Sequence, residues 1–211
     1  MAARLRAIAR RVRCAIRARD VTYSARFFYP GVRTLDIAIT PSGAQFSRCR
    51  RWRYLLWRRW DATRPVANFL MLNPSTADEL KLDPSCTRAR NYAERWGYGG
   101  LIVTNIFGWR ATDPKVMKSV KDPVGRGNDA AILRAAREAK LVLCAWGSHG
   151  EHLQRGAQVA RMLAANGMQL HALRVTAGGH PSHPLYLPQI LTPAEFPLPS
   201  PACAKAPGRR G

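Results

Sequence analysis

The chain has 211 residues, the size of one domain with tails, and its 46% hydrophobic and 22% charged residues exclude a disordered or fibrous class. Thirty-four Lys and Arg against thirteen Asp and Glu give a net charge of +21, a field that gathers polyanions and points to nucleic acid, nucleotides or an anionic membrane. Residues 44–197 keep 22 basic and 11 acidic residues, so the balance is not a property of the ends alone.

Residues 4–19 carry seven arginines among Leu5, Ile8, Val12, Ala15 and Ile16. That spacing admits a basic amphipathic helix that binds nucleic acid, a transit peptide, or a poorly ordered extension. The extension is assigned to residues 1–43. Trp52 to Trp60 is expected to add an edge strand or a helix. Val66 to Leu72, Leu101 to Phe107, Leu141 to Trp146 and Leu170 to Val175 are apolar runs of buried-strand length without two-residue alternation, the signature of parallel strands. Between the first two, Asp83-Pro84 supplies an N-cap and first-turn proline, Cys86, Ala89, Ala93 and Trp96 share a helical face, and Gly97 stops it. Asp113-Pro114 opens a short helix. Asn128 caps another to about Ala139, and Leu153, Ala157, Ala160 and Ala164 stripe a third ending near Gly167. The order βαβαβαβ, with right-handed crossovers on both faces, predicts a three-layer α/β/α sandwich with a central four-stranded parallel sheet over residues 44–197. Residues 198–211, rich in Pro, Ala and Gly, read as a tail.

Cys14, Cys49, Cys86, Cys144 and Cys203 are odd in number and widely spaced, which fits free thiols in a reducing compartment rather than a metal knuckle or disulfide framework. No run reaches the roughly 18 apolar residues of a membrane span, and the Arg-rich start lacks a signal-peptide core. The expectation is a cytoplasmic protein with no membrane partner, metal or cofactor.

Ligands of open parallel sheets bind at the carboxyl ends of strands. The four exits are Leu72-Asn73-Pro74-Ser75-Thr76, Thr104-Asn105-Ile106-Phe107-Gly108, Trp146-Gly147-Ser148-His149-Gly150 and Gly178-Gly179-His180-Pro181-Ser182-His183-Pro184-Leu185. Asn73 before proline is a held amide suited to orienting water, or an ordinary Asx turn. Asn105 offers a donor and an acceptor to a base edge, or satisfies its loop. His180 is placed to donate to a developing negative charge and Ser182 to meet phosphate, or the histidines satisfy buried carbonyls. Arg110 either pairs with Asp113 at the rim or meets a phosphate, while Asp113 before Pro114 also reads as a helix cap.

The spread Leu72-Asn73-Pro74-Ser75-Thr76, Thr104-Asn105, Arg110-Ala111-Thr112-Asp113-Pro114, Pro123-Val124-Gly125, Asn128-Asp129, Ala145-Trp146-Gly147 and His183-Pro184-Leu185-Tyr186-Leu187 resembles the bacterial and phage family called domain of unknown function 1643, over about residues 46–190. The family brings no established activity. A more distant resemblance is to the uracil-DNA glycosylase superfamily, which implies the same fold. It places the water-orienting residue on Asn73, the base-reading Asn on Asn105, the Trp-Gly-Ser motif on Trp146-Gly147-Ser148 and the His-Pro-Ser loop on His180-Pro181-Ser182. The chain departs at Ser75-Thr76, where Gly or Tyr-His is usual, and at His183, where the loop commonly runs Pro-Leu.

Two functions follow. In the first, N-glycosidic bonds are cleaved, with Asn73 and His180 catalytic, Asn105, Ser148, Ser182, His183 and Arg110 binding substrate, and Leu185 a wedge. In the second, the pocket binds nucleic acid or nucleotides without catalysis. There Arg48, Arg50, Arg51, Arg53, Arg58 and Arg59, interleaved with Trp52, Tyr54, Trp57 and Trp60, hold single strands, unless those aromatics are core and the arginines merely solvated.

Overall fold

A computed structural model describes residues 41–198. The helix expected within 4–19 and nearly all of the expected tail lie outside the described residues.

The apolar runs form β3 (Val66–Met71), β4 (Gly100–Asn105), β5 (Leu141–Ala145) and β6 (Leu170–Ala172). They pair in parallel in the spatial order β4-β3-β5-β6. Every residue of β3, β4 and β5 is buried, as strands covered on both faces require. The expected four-stranded parallel sheet is nevertheless corrected to a mixed sheet of seven. β1 (Ser42–Phe46) and β2 (Arg53–Arg59) extend it antiparallel beside β4, and β7 (Ala194–Glu195) beside β6. The segment Trp52 to Trp60 is therefore a strand, but not at the edge, because β1 covers it.

Helices lie on both faces. α1 (Pro84–Arg95) packs Cys86, Ala89, Tyr92 and Ala93 with Phe69, Leu101, Val103 and Leu143. Asp83 caps it by accepting from the Cys86 N–H at 2.8 Å, Pro84 fills its first turn, and Gly97 leaves it at φ +82°. On the other face α2 (Pro114–Ser119), α3 (Asn128–Glu138) and α4 (Arg155–Ala165) bury Met117, Ile132, Val159 and Leu163 against Leu70, Val142 and Cys144. Asp113 caps α2 by accepting from the Lys115 N–H.

Two helix starts differ from expectation. Asn128 does not cap α3; the cap position is Gly127, and the Asn128 amide donates to the carbonyls of Asn105 and Ile106. α4 begins at Arg155, so Leu153 lies outside it and is exposed, and the buried stripe is Gly156, Val159, Ala160 and Leu163. The chain enters α4 through Leu153 and Gln154, both at φ 54°, so neither continues the helical period that the spacing assumed.

Candidate functional site

Numbered within themselves, the parallel strands lie in the order second, first, third, fourth. The connection after β3 runs to one side and that after β5 to the other, so the topological switch point, where such sheets commonly take ligands, falls between these two carboxyl ends.

At the first exit, Asn73 is half-buried, and its Nδ2 donates to the carbonyls of Pro74 at 3.0 Å and Ala111 at 2.7 Å. The Ala111 N–H returns a bond to the Pro74 carbonyl at 2.9 Å. The amide plane is fixed while Oδ1 keeps its acceptor capacity. At the second exit, Asn105 is buried, and its Oδ1 accepts from Nη2 of Arg53 at 3.3 Å. Arg53, 1% exposed, also donates from Nη1 to the Ala77 carbonyl at 2.8 Å. A bulge where Gln45 pairs with Leu55 and Phe46 with Arg53 leaves Tyr54 as the extra residue and turns Arg53 toward α1. Burial pulls the guanidinium below its usual range, and the nearest opposing groups are Cys86 and Asp83. Burial also pushes the Cys86 thiol up to about 12.

The third exit turns at Gly147, whose φ of +69° favours glycine, into a 3-10 segment over Ser148–Gln154 that is kinked by non-helical backbone at His152 and Leu153. Ser148 is exposed. Trp146 is buried beneath Gly150, Gly156 and an edge-on Phe196 at 5.7 Å, and Lys118 Nζ lies 3.2 Å from Nδ1 of the neighbouring His149. At the fourth exit β6 stops at Ala172, short of the expected Val175, and a tight turn follows. It is closed by Thr176 N–H to the His180 carbonyl and Ser182 N–H to the Arg174 carbonyl. Gly147 N–H donates to the Pro181 carbonyl at 2.8 Å, tying third exit to fourth. His180 Nε2 donates to the exposed Glu151 carboxylate at 3.2 Å. His183 is largely buried; its Nδ1 accepts from the Leu185 N–H at 3.3 Å, and burial holds its pKa below the usual histidine range despite the opposing pull of Asp83.

Two clefts open near the strand exits, and each takes in one of the predicted site residues, His180 in one and Leu185 in the other. One of about 470 Å³ lies over Trp146 and is lined by Gly150, Glu151, Gly179, His180 and the start of α4, which no side chain caps. The other, about 590 Å³, lies along α1 and includes Thr76 and Leu185. Asn73, Asn105, Arg110, Ser148, Ser182 and His183 line neither. Arg110 and Asp113 do not pair: Arg110 sits 5.0 Å over the Phe46 ring and donates to the Arg50 carbonyl, while Asp113 is the α2 cap. Of the basic and aromatic residues in the arginine-rich segment only Arg53 is buried, Arg48, Arg50 and Arg51 are exposed, and several of the segment's polar groups are tied into the fold. Arg50 is bidentate to Glu79, Arg58 donates to the carbonyls of Trp57 and Asp78, and the indoles of Trp52 and Trp60 donate to backbone carbonyls.

Sequence reasoning missed Glu151, Arg155 and the role of Arg53. Arg155 is buried, donates to the Ile106 carbonyl and pairs with Asp129, so Asn128 from α3 and Arg155 from α4 together clamp the second exit, with Asp129 holding the arginine. The adjacent Asn-Asp just after Gly127 was the available signal.

The chain matches the family described as "Protein of unknown function (DUF1643)" over residues 53–185. It belongs to that family, and the matched stretch takes in the strand exits just described, up to Leu185. No curated protein and no solved structure matches it.

Proposed function

We propose that this protein processes bases in nucleic acid or nucleotides at the carboxyl edge of its parallel strands, cleaving N-glycosidic bonds at a uracil-DNA glycosylase-like site in a three-layer α/β/α frame. The observation that carries this reading is the His180 cleft. His180 is held as an oriented donor by Glu151, an exposed carboxylate that an anionic ligand oxygen would displace, and the uncapped start of α4 faces the same space. Departure of a pyrimidine leaves an oxocarbenium-like sugar and an anionic base. His180 meets that base's oxygen, and Asn73 Oδ1 accepts from the attacking water, its plane locked by the two bonds from Nδ2. An amide removes no proton, so the proton that the water loses on bonding to the sugar passes to the departed base anion, which leaves as the neutral base, and the rate rests on positioning and electrostatics. Ser148, Ser182 and Arg110 contribute to substrate binding, His183 shapes the loop, and Leu185 stands where a wedge would enter a duplex.

The test is a mass-spectrometric screen for base release from oligonucleotides carrying modified bases. Asn73→Ala and His180→Ala are expected to lower release by roughly a hundredfold with little change in binding, as loss of a preorganised transition-state contact does. Folded variants that match the parent on a substrate it cleaves would remove both residues from the chemistry.

Non-catalytic binding is the second reading, and the buried amide of Asn105 favours it: with Oδ1 held by Arg53, only its Nδ2 is left to read a base. Tight, salt-sensitive binding without released base would select it.

A further inference from the structure

The groove along α1 lies apart from the His180 cleft and has a different chemistry. Its only acid, Asp83, is buried and spent on capping α1. Two cations line it, Lys81 and Arg88, and neither has a carboxylate within ion-pair distance among the described residues. Arg88 is oriented by its bond to the Leu187 carbonyl and by the Tyr92 ring 5.6 Å away, while Lys81 is exposed. Thr87 and Asn91 add neutral hydrogen-bonding groups from the exposed face of the helix.

Apolar side chains flank these polar groups. Leu80, next to Lys81, is 93% exposed, and on the opposite wall Leu185 lines the groove with Tyr186 beside it, 86% exposed. Among the described residues the Tyr186 ring has one aromatic neighbour, His183, with 6.5 Å between ring centroids. A water-exposed Leu and Tyr beside two cations that no carboxylate pairs, although Asp78 Oδ1 accepts from the Leu80 and Lys81 N–H groups, form a surface with one aromatic ring for stacking, apolar area beside it and positive charge for a backbone. From this arrangement we infer that the α1 groove binds single-stranded nucleic acid, with Lys81 and Arg88 at phosphates and Tyr186 stacked on a base. The inference rests on the reading that nucleic acid is the partner, but not on cleavage. It makes a strand, rather than a free base or nucleoside, the form in which the partner arrives.

The experiment is fluorescence anisotropy of the full chain with a labelled twelve-nucleotide single strand, across a series of salt concentrations. Tyr186→Ala is expected to weaken binding roughly tenfold with an unchanged salt slope, because stacking releases no counterions. Lys81→Ala is expected to lower the slope by about one. Lys140→Ala, which removes the same charge at the amino edge where β5 begins, should change affinity much less than Tyr186→Ala. Photocrosslinking with a halogenated-uracil strand should mark Tyr186. If the parent binds but Tyr186→Ala and Lys81→Ala bind like it, or polyglutamate competes as well as the strand, the groove assignment fails and the wider reading stands. If the parent does not bind at all, both fail together.

Discussion

Arg53 carries a charge in a place where water is absent, an arrangement tolerated when its N–H groups find acceptors. Two acceptors are present, the Ala77 carbonyl and Asn105 Oδ1, and Nε has none. Arg53→Ala removes a packed side chain and orphans both acceptors, so a loss of about 3 kcal/mol is expected in urea unfolding. Asn105→Asp places a carboxylate at the same contact and is expected to leave stability equal or higher. A strongly destabilised Asp variant would show that the carboxylate's desolvation outweighs its attraction to Arg53. His183 supplies a pH dependence. Burial lowers its pKa in the folded state, so the unfolded chain binds the proton more readily, and stability falls as pH drops through the ordinary histidine range. Unfolding midpoints between pH 7.5 and 5 should therefore decline, and His183→Asn, which keeps an acceptor for the Leu185 N–H, should flatten part of that decline. A profile identical to the parent's would show that His183 titrates alike in both states.

At the scale of elements, the exits are held by contacts between consecutive connections rather than by the strands themselves. Asn128 from α3 and Arg155 from α4 both bind the Ile106 carbonyl, so the second exit is shaped by two helices that follow it in the chain. The third exit depends on two glycines. A Cβ on Gly150 would lie 2.1 Å from the Trp146 ring and one on Gly156 2.6 Å from it, so the start of α4 closes on the indole only where no side chain intervenes. Gly150→Ala is expected to cost roughly 1–3 kcal/mol, as overpacking does, and to shift Trp146 fluorescence. Because this turn carries Glu151, binding at the His180 cleft should weaken as well. Unaltered stability and emission would mean that Trp146 yields without strain. α1 shows the opposite case: its Asp83 cap, first-turn proline and Gly97 stop were all legible, since each acts within a turn of its neighbours.

For the whole molecule, the alternation of buried apolar runs with helical stretches identified four strands and their chain order, because burial on both faces leaves a local mark on composition. β7 has two exposed residues and β1 is only partly buried, so neither leaves such a mark, and both exist by pairing with a strand already in place. The candidate site divides along the same line. That Asn73, Asn105, Trp146 and His180 follow successive strands could be read from spacing. What each side chain touches could not: Arg53 meets Asn105 across 52 positions, and His180 meets Glu151 across 29. The sequence by itself determined the alternation, the helix caps and the four exits, since these rest on periods and turns of a few residues. Only the tertiary structure decided that the sheet is mixed, that the arginine-rich strand lies inside it, and that His180 and Leu185 line separate clefts, because these depend on contacts between segments whose separation leaves no local trace.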